Sequence, residues 1–485
     1  VGEILRLAPL AQDDERDHPL PQDHERDHPL AQDDEQDHPL AQDDERDHPL
    51  PQDDTRETRG ERRMTSNAEL IERRNRTIGP YSPLFYTEPL QFVSAKGVWF
   101  TEASGERYLD GYNNVPHVGH CNDRVVAALA DQAATLNVHT RYLNERVVDY
   151  SERLLATFEP RLDRIFFGNS GSEANELAIR ISRQLTGNTG MIVSDYSYHG
   201  TTITLAGLTT GLKTAIPLDP NVRTLRIPDL DRDPRPEAEV LAETLASLDA
   251  SIASLQEAGF GVAACLFDPL FSTEGMPRLP EGLVQGIADR VRAAGGMVIA
   301  DEVQSGFGRT GTHMWGHQYA GMAADLVTMG KPMGNGHPMS AVVTSEDVLD
   351  RFGSQNEFFN TFAGNPVSAA VGEAVLLEME EEQLMARAKT LGDEAAARFQ
   401  EFAARYDFVR SAKGVGMFLG LDFAVDGEPA PQLAKQVVEA MKARKVLISR
   451  IGRDESVLKV RPPLAFGAEE LPILLDALAD ALSEV

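Results

Sequence analysis

The 485-residue chain reads as an α/β protein built on a mainly parallel sheet. Three observations predict this. Short apolar runs recur at 191–195 (MIVSD), 262–268 (VAACLFD), 297–301 (MVIAD) and 326–330 (LVTMG), the lengths of strands buried on both faces. Helical stretches separate them, as in a sheet covered on both sides. The third run stops at Asp301 and the fourth delivers Lys331. Open sheets of this class place their ligands outside the carboxyl ends of the strands.

The length allows two domains and a large core. Apolar residues make up 42% and charged residues 25%, ordinary for a soluble globular protein. No apolar run approaches the roughly 18–20 residues of a membrane span, and VGEILRLAPLAQDD lacks the features of a secretory signal. Cys121 and Cys265 show neither a CxxC nor a metal spacing; they fit a reducing compartment, hence a cytoplasmic location, and are expected to be buried as small hydrophobes. The net charge of −30 argues against nucleic acid as a partner. Residues 1–63 carry 20 of the 76 acidic residues but only 8 of the 46 basic ones, so the remainder is only moderately acidic.

In chain order, residues 1–63 form one unit dominated by a decapeptide repeat, AQDDERDHPL and its variants. One Leu and one Pro among charges cannot bury enough surface to offset chain entropy, so a disordered tail is expected. A metal-binding array of His18, His28, His38 and His48 is the alternative. So regular a repeat ahead of Met64 also suggests tandem DNA read as protein from a start assigned too early; a mature chain carrying the repeats would sink that idea. Residues 64–120 hold a short helix ending before Gly79-Pro80, then strands with a hairpin turn at Gly105, and are expected to join the smaller domain. Residues 121–370 are expected to form the large domain: two amphipathic helices at 124–136 and 144–158, a strand at 164–168, a helix opened by NSGSE, and then the four apolar runs. Residues 371–485 read as a small α+β domain. A long helix through residue 384 leads to strands in GVGMFLGLDF, VLISRI and VLKVRPPL and a closing helix.

A buried Asp and a buried Lys are each costly without a partner. Asp301 and Lys331 could pair with each other. They would also suit an aromatic cofactor with a ring nitrogen and an aldehyde, which is pyridoxal phosphate: the Lys forms a Schiff base and the Asp keeps the pyridinium protonated. Ser170-Gly171-Ser172 lies between a strand and a helix, where N–H groups and a hydroxyl suit a phosphate dianion; an ordinary helix cap reads the same way. Tyr198 could stack on a planar ring or sit on a surface loop, and Thr361 offers a hydroxyl in a loop bounded by Gly and Pro. No phosphate-binding P-loop, catalytic triad or metal pattern competes.

Together NSGSEANE (169–176), SYHG (197–200), ADEVQSGFGRTG (300–311), TMGK (328–331) and FNTFAGNP (359–366) resemble the class III branch of the fold-type I pyridoxal-phosphate enzymes, over residues 65–485. The resemblance implies a large domain with a mainly parallel sheet of the seven-stranded type, a small α+β domain and pyridoxal 5'-phosphate as cofactor. It implies that Lys331 carries the Schiff base and shuttles the Cα proton, and that Asp301 pairs with the ring nitrogen. Val303 and Tyr198 would pack on opposite ring faces, and Gln304 would hydrogen-bond the ring hydroxyl. Gly171 and Ser172 would hold the phosphate with Thr361 of a neighbouring subunit, so a homodimer with shared sites is implied; pairing of dimers into tetramers stays open.

The same resemblance leaves two reactions. Many class III aminotransferases have an Arg three residues before a Pro pair, where it grips a carboxylate. Here Lys459 stands there, with Arg461 directly before Pro462, and Arg and Lys are not interchangeable at a bidentate site. A Lys resembles the phospho-lyase subgroup acting on phosphoethanolamine and phosphohydroxylysine. So do NVPHVGHC (114–121), RYL (141–143), VDY (148–150) and NGHP (335–338). Lys459, Arg461, Arg141 and Lys413 are candidate substrate cations. Asp268-Pro269 replaces the more usual Glu-Pro, and Glu274 is displaced from the acid that partners an active-site Arg in some members, which speaks against ornithine- or GABA-type substrates. The leading expectation is transfer of an amino group from a small primary amine or amino acid to a keto acid; the alternative is elimination of phosphate and ammonia from a phosphorylated amino alcohol.

Overall fold

A computed structural model describes residues 65–485. The expectations for the repeat, its histidines and a start at Met64 lie outside the described residues.

The sequence pattern is realised as a seven-stranded sheet. Its order in space is 164–168, 340–344, 326–329, 297–301, 264–267, 191–194 and 222–225. Ser340–Thr344 runs antiparallel to both neighbours, while the pairs among the other strands are parallel. The central strands are buried along their length because helices cover both faces. Asp301 and Lys331 lie at the same edge of this sheet, since the strands Met297–Asp301 and Leu326–Met329 are adjacent and parallel with Asp301 in register with Thr328.

The N-terminal strands Phe92–Lys96, Trp99–Glu102 and Arg107–Asp110 form a meander, with Gly105 at φ +90° in the expected turn. Its fourth strand comes from the far end of the chain: Val446 and Leu447 pair parallel with Leu109 and Asp110. The run VLISRI is therefore not one strand. It breaks at Ile448, and Ser449–Ile451 joins a separate sheet with 409–415, 418–425 and 457–459.

Three further expectations need correction. GVGMFLGLDF is a hairpin turn and not a single strand, because Gly416 at φ +53° reverses the chain between Val409–Val415 and Phe418–Val425. The helix beginning at Pro366 stops at Glu381, where Gln383 adopts φ +50°, and a separate helix, Leu384–Arg405, follows. That helix and Pro431–Ala443 were not anticipated. Cys265 is buried, but Cys121 is exposed at φ +47°.

An ion network fastens the sheet of 409–425 to the loop at 229–232. Asp422, fully buried, accepts from Arg232 at 2.7 and 2.9 Å, from Arg410 at 3.4 Å and from Ser456 at 3.1 Å. Lys413 donates to Asp229 and Asp231 at 2.7 and 3.1 Å. Lys413 is thus a structural cation, and its expected role toward substrate is corrected.

Candidate active site

A cleft of about 510 Å³, counting space open to solvent, lies at the carboxyl edge of the large sheet. Gly171, Ser172, Tyr198, Asp301, Val303, Gln304 and Lys331 all line it, so seven of the residues singled out in the sequence converge. Thr361 is exposed and does not line this cleft. Its neighbour Asn360 is tied to the same chain's Glu173 at 2.9 Å and Asn169 at 3.0 Å. Arg141 is also outside: it lies on the surface with its guanidinium 4.1 Å from the centre of the Phe359 ring.

The cup is built by the first turn of Gly171–Thr186. First-turn N–H groups have no acceptor within their helix. Ser170 caps that of Glu173 at 3.2 Å, and Gly171 and Ser172 border the cleft. Thr201 N–H donates to the Ser172 hydroxyl at 3.2 Å, leaving the hydroxyl proton free for an anion. The space is fitted to small residues. A Cβ on Gly171 would come within 3.1 Å of Val303, and one on Gly200 (φ +144°) within 2.6 Å of Ser172 Oγ.

Asp301 sits below. Its Oδ2 takes His199 Nδ1 at 2.8 Å and Asn175 Nδ2 at 2.9 Å, and its Oδ1 takes Val303 N–H at 3.1 Å. Burial pushes this carboxyl up, but the His199, Asn175 and Val303 donors prevail and hold it below its ordinary range. Oδ1 keeps a lone pair for one more donor. Lys331 faces the open space of the cleft with protein on its other sides. Burial lowers its pKa and Arg461 adds to that, against the opposing pull of Asp301 and Asp268. A dianion cup, an ionised carboxylate and an easily deprotonated amine around one cleft fit the phosphate, ring nitrogen and aldehyde of pyridoxal phosphate.

Beyond Gln304 lie the two cations singled out at the Pro-Pro turn. Lys459 and Arg461 are buried, 7% and 3% exposed. Both donate to Gln304 Oε1, Lys459 at 3.1 Å. Gln304 is therefore held by these cations. Aromatic rings flank them: each lies 5.3–5.8 Å from the ring centres of Tyr112 and Phe418. Burial drives the Lys459 ammonium well below its usual range, with Arg461 and Lys331 contributing, and Arg461 is lowered to about 10, burial leading. A buried guanidinium and a buried amine that an arriving anion would hold protonated, both facing a neutral amide, form a receptor for an anion.

Arg309 and Glu302 were missed in the sequence, and Asp268 and Glu274 were noted there only as departures from the family pattern. Arg309 is fully buried beside these cations, donating to Met417 O and Pro462 O at 2.8 Å each and to His117 Nδ1 at 3.3 Å. Glu302, next to Asp301, takes His317 Nδ1 at 2.7 Å and two backbone N–H groups. Asp268 lines the cleft, raised to about 6 by burial, with Ser272 opposing and Asp301 and Glu302 adding. Glu274 is raised to about 8, again by burial first. Asp268 carries the same signal as Asp301, an acid at the end of an apolar run. The others carry none that periodicity or composition could reveal.

Residues 85–482 match the family model described as aminotransferase class-III. A Drosophila melanogaster protein named alanine–glyoxylate aminotransferase 2-like is 35% identical over 87% of this chain and 88% of its own length. A Caenorhabditis elegans protein named ethanolamine-phosphate phospho-lyase homolog 1 is 33% identical over 86% of this chain and 94% of its own. Among solved structures, a phospholyase from Arthrobacter in complex with phosphoethanolamine is 57% identical with a TM-score of 0.85, covering 86% of this chain and all of the other.

Proposed function

Since the chain belongs to the class III aminotransferase family, whose cofactor is pyridoxal 5'-phosphate, we propose that it is a phospho-lyase removing phosphate and ammonia from phosphoethanolamine or a close relative. The observation that carries this is the Lys459–Arg461 pair, two buried cations turned to the neutral Gln304. A phosphate monoester brings nearly two negative charges and several acceptor oxygens, which matches two cations. An amino acid's carboxylate brings one charge and is best met by a single guanidinium fork. The similarity to the Arthrobacter phospholyase supports the same reading.

The cofactor, when bound, supplies an aldehyde that takes the substrate amine and a ring that draws off the electrons left when a proton leaves the neighbouring carbon. The residues of the chain do the rest. Gly171 and Ser172 would hold the cofactor phosphate, Val303 and Tyr198 the ring, and Asp301 the protonated ring nitrogen. Lys331 Nζ, whose lowered pKa favours the neutral amine, removes and returns the proton. Lys459 and Arg461 hold the substrate phosphate and neutralise it as its C–O bond breaks. With one water consumed, phosphoethanolamine yields acetaldehyde, ammonia and phosphate, so no keto acid is needed.

Amino transfer is the second reading, favoured by the Drosophila relative and by Arg461, which could hold a carboxylate. Purified protein supplied with phosphoethanolamine and no keto acid should release phosphate continuously; turnover that begins only when pyruvate is added would replace the first reading with the second. Lys331→Ala should abolish either activity, and an active variant would refute the assignment of Lys331.

Thr361, exposed and outside its own cleft, supports a homodimer in which it reaches the other subunit's cup. Sedimentation as a monomer at assay concentration would remove that part of the proposal.

A further inference from the structure

Asp301 is reached by donors from two directions, and one of them is itself held by a residue that does not line the cleft. Asn175, 1% exposed, donates through Nδ2 to Asp301 Oδ2 at 2.9 Å and to His199 O at 2.7 Å. Its Oδ1 accepts from the Thr328 hydroxyl at 2.6 Å. Thr328 is fully buried, in register with Asp301 on the adjacent strand and three residues ahead of Lys331. We propose that Asn175, oriented by Thr328, is a positioning residue for the cofactor's ring nitrogen, keeping Asp301 as an unprotonated acceptor with one defined oxygen free.

The hydrogen-bond inventory carries the argument. A flipped Asn175 amide would set its oxygen against Asp301 Oδ2 and His199 O, two acceptors already at contact distance. The Thr328 hydroxyl supplies the proton that the unflipped oxygen requires; its other acceptor, Ala300 O, lies farther away at 3.5 Å. With Asn175 so fixed and His199 in the tautomer that carries its proton on Nδ1, Oδ2 of Asp301 faces two donors, and a proton placed there would have no acceptor. Only Oδ1, which holds Val303 N–H alone, can meet a protonated ring nitrogen. His199 fits the same arrangement: its Nδ1 serves Asp301 and its buried Nε2 has no partner.

One helix joins both ends of the cofactor site. Gly171 and Ser172 open it at the cup, and Asn175 lies one turn further along. The distance between phosphate cup and carboxylate is thereby set by a rigid element and does not depend on two independent loops.

The test separates positioning from mere packing by comparing two ligands. Full-length protein freed of cofactor is titrated with pyridoxal phosphate and with its 1-deaza analogue, in which the ring nitrogen is replaced by C–H. Thr328→Val keeps the shape and removes the hydroxyl. It should weaken pyridoxal phosphate about tenfold while leaving the analogue within about twofold, the cost expected for one hydrogen bond in a charged network. Thr328→Ser should restore parental binding. Asn175→Asp, which opposes Asp301 with a second carboxylate, should show a larger selective loss and serves if the Val variant does not fold. Equal losses for both ligands, or no loss, would overturn the proposal. Because the readout is cofactor binding, the result is independent of whether elimination or amino transfer is the reaction.

Discussion

At the scale of single residues, the site divides charge between a cofactor half and an anion half. Asp301 is kept ionised by its donors, whereas Lys459 and Arg461 form no ion pair with a carboxylate among the described residues and meet the neutral Gln304 instead. Lys459→Gln keeps length and a donor but removes one charge. It should raise KM for phosphoethanolamine at least about tenfold, about 1.4 kcal/mol, because a charged hydrogen bond is lost in a desolvated site. Steady-state kinetics checks this; an unchanged KM would move the phosphate elsewhere in the cleft. Asp301 and Lys331 were legible because each is a polar residue following a buried apolar strand, at the carboxyl edge where sheets of this class place their ligands. Lys413 misled for the opposite reason. Its acids, Asp229 and Asp231, are far away in sequence, so nothing local marks it as paired. Arg309 and Glu302 were equally hidden, since their partners are carbonyls, N–H groups and histidines brought together only by the fold.

At the scale of elements, the strands of the large sheet were legible and much of the small domain was not. Buried parallel strands are apolar throughout and bounded by glycine, a strong local signal. The helix Leu384–Arg405 carried a signal that was passed over: Leu384, Ala388, Leu391, Ala395, Phe399 and Phe402 recur at three- and four-residue spacing and are its buried face. The turn at Gly416 shows why GVGMFLGLDF resisted reading. Its glycine is needed for reversal and for close approach: a Cβ there would overlap the Arg309 carbonyl oxygen and come within 2.6 Å of the Thr310 carbonyl carbon. Met417 O, next in the chain, accepts from Arg309. Gly416→Ala should therefore destabilise by at least about 2 kcal/mol, combining backbone strain with overpacking. It should also weaken phosphoethanolamine binding through Arg309 and Pro462. Chemical denaturation and KM measure the two effects; loss of stability with unchanged KM would show that Arg309 does not steady the cation pair.

At the scale of the whole molecule, distant segments are held by buried ions as well as by apolar packing. His317 bridges Glu302, beside Asp301, and Glu159, at 2.7 and 3.3 Å. Burial alone would lower its pKa, but Glu159 and Glu302 outweigh that and raise it to about 9. A histidine with a raised folded pKa contributes stability that is fully present below its ordinary 6.5 and is lost as pH rises through 9. Melting temperature should thus fall between pH 6.5 and 9, and His317→Gln should be less stable at pH 6 but show a shallower decline. A variant whose melting curve tracks the parent across this range would contradict the assignment. The pairing of Leu109 with Val446 carries a different consequence, one for synthesis. More than three hundred residues separate the two strands. At roughly 5–20 residues per second the Leu109 strand waits on the order of 20–70 s before its neighbour leaves the ribosome. Until then its outer edge has unpaired backbone groups, the kind of edge on which chains aggregate. A chain cut short before Val446 would retain that edge permanently, so premature termination late in the message should yield an insoluble product and not a partly active one.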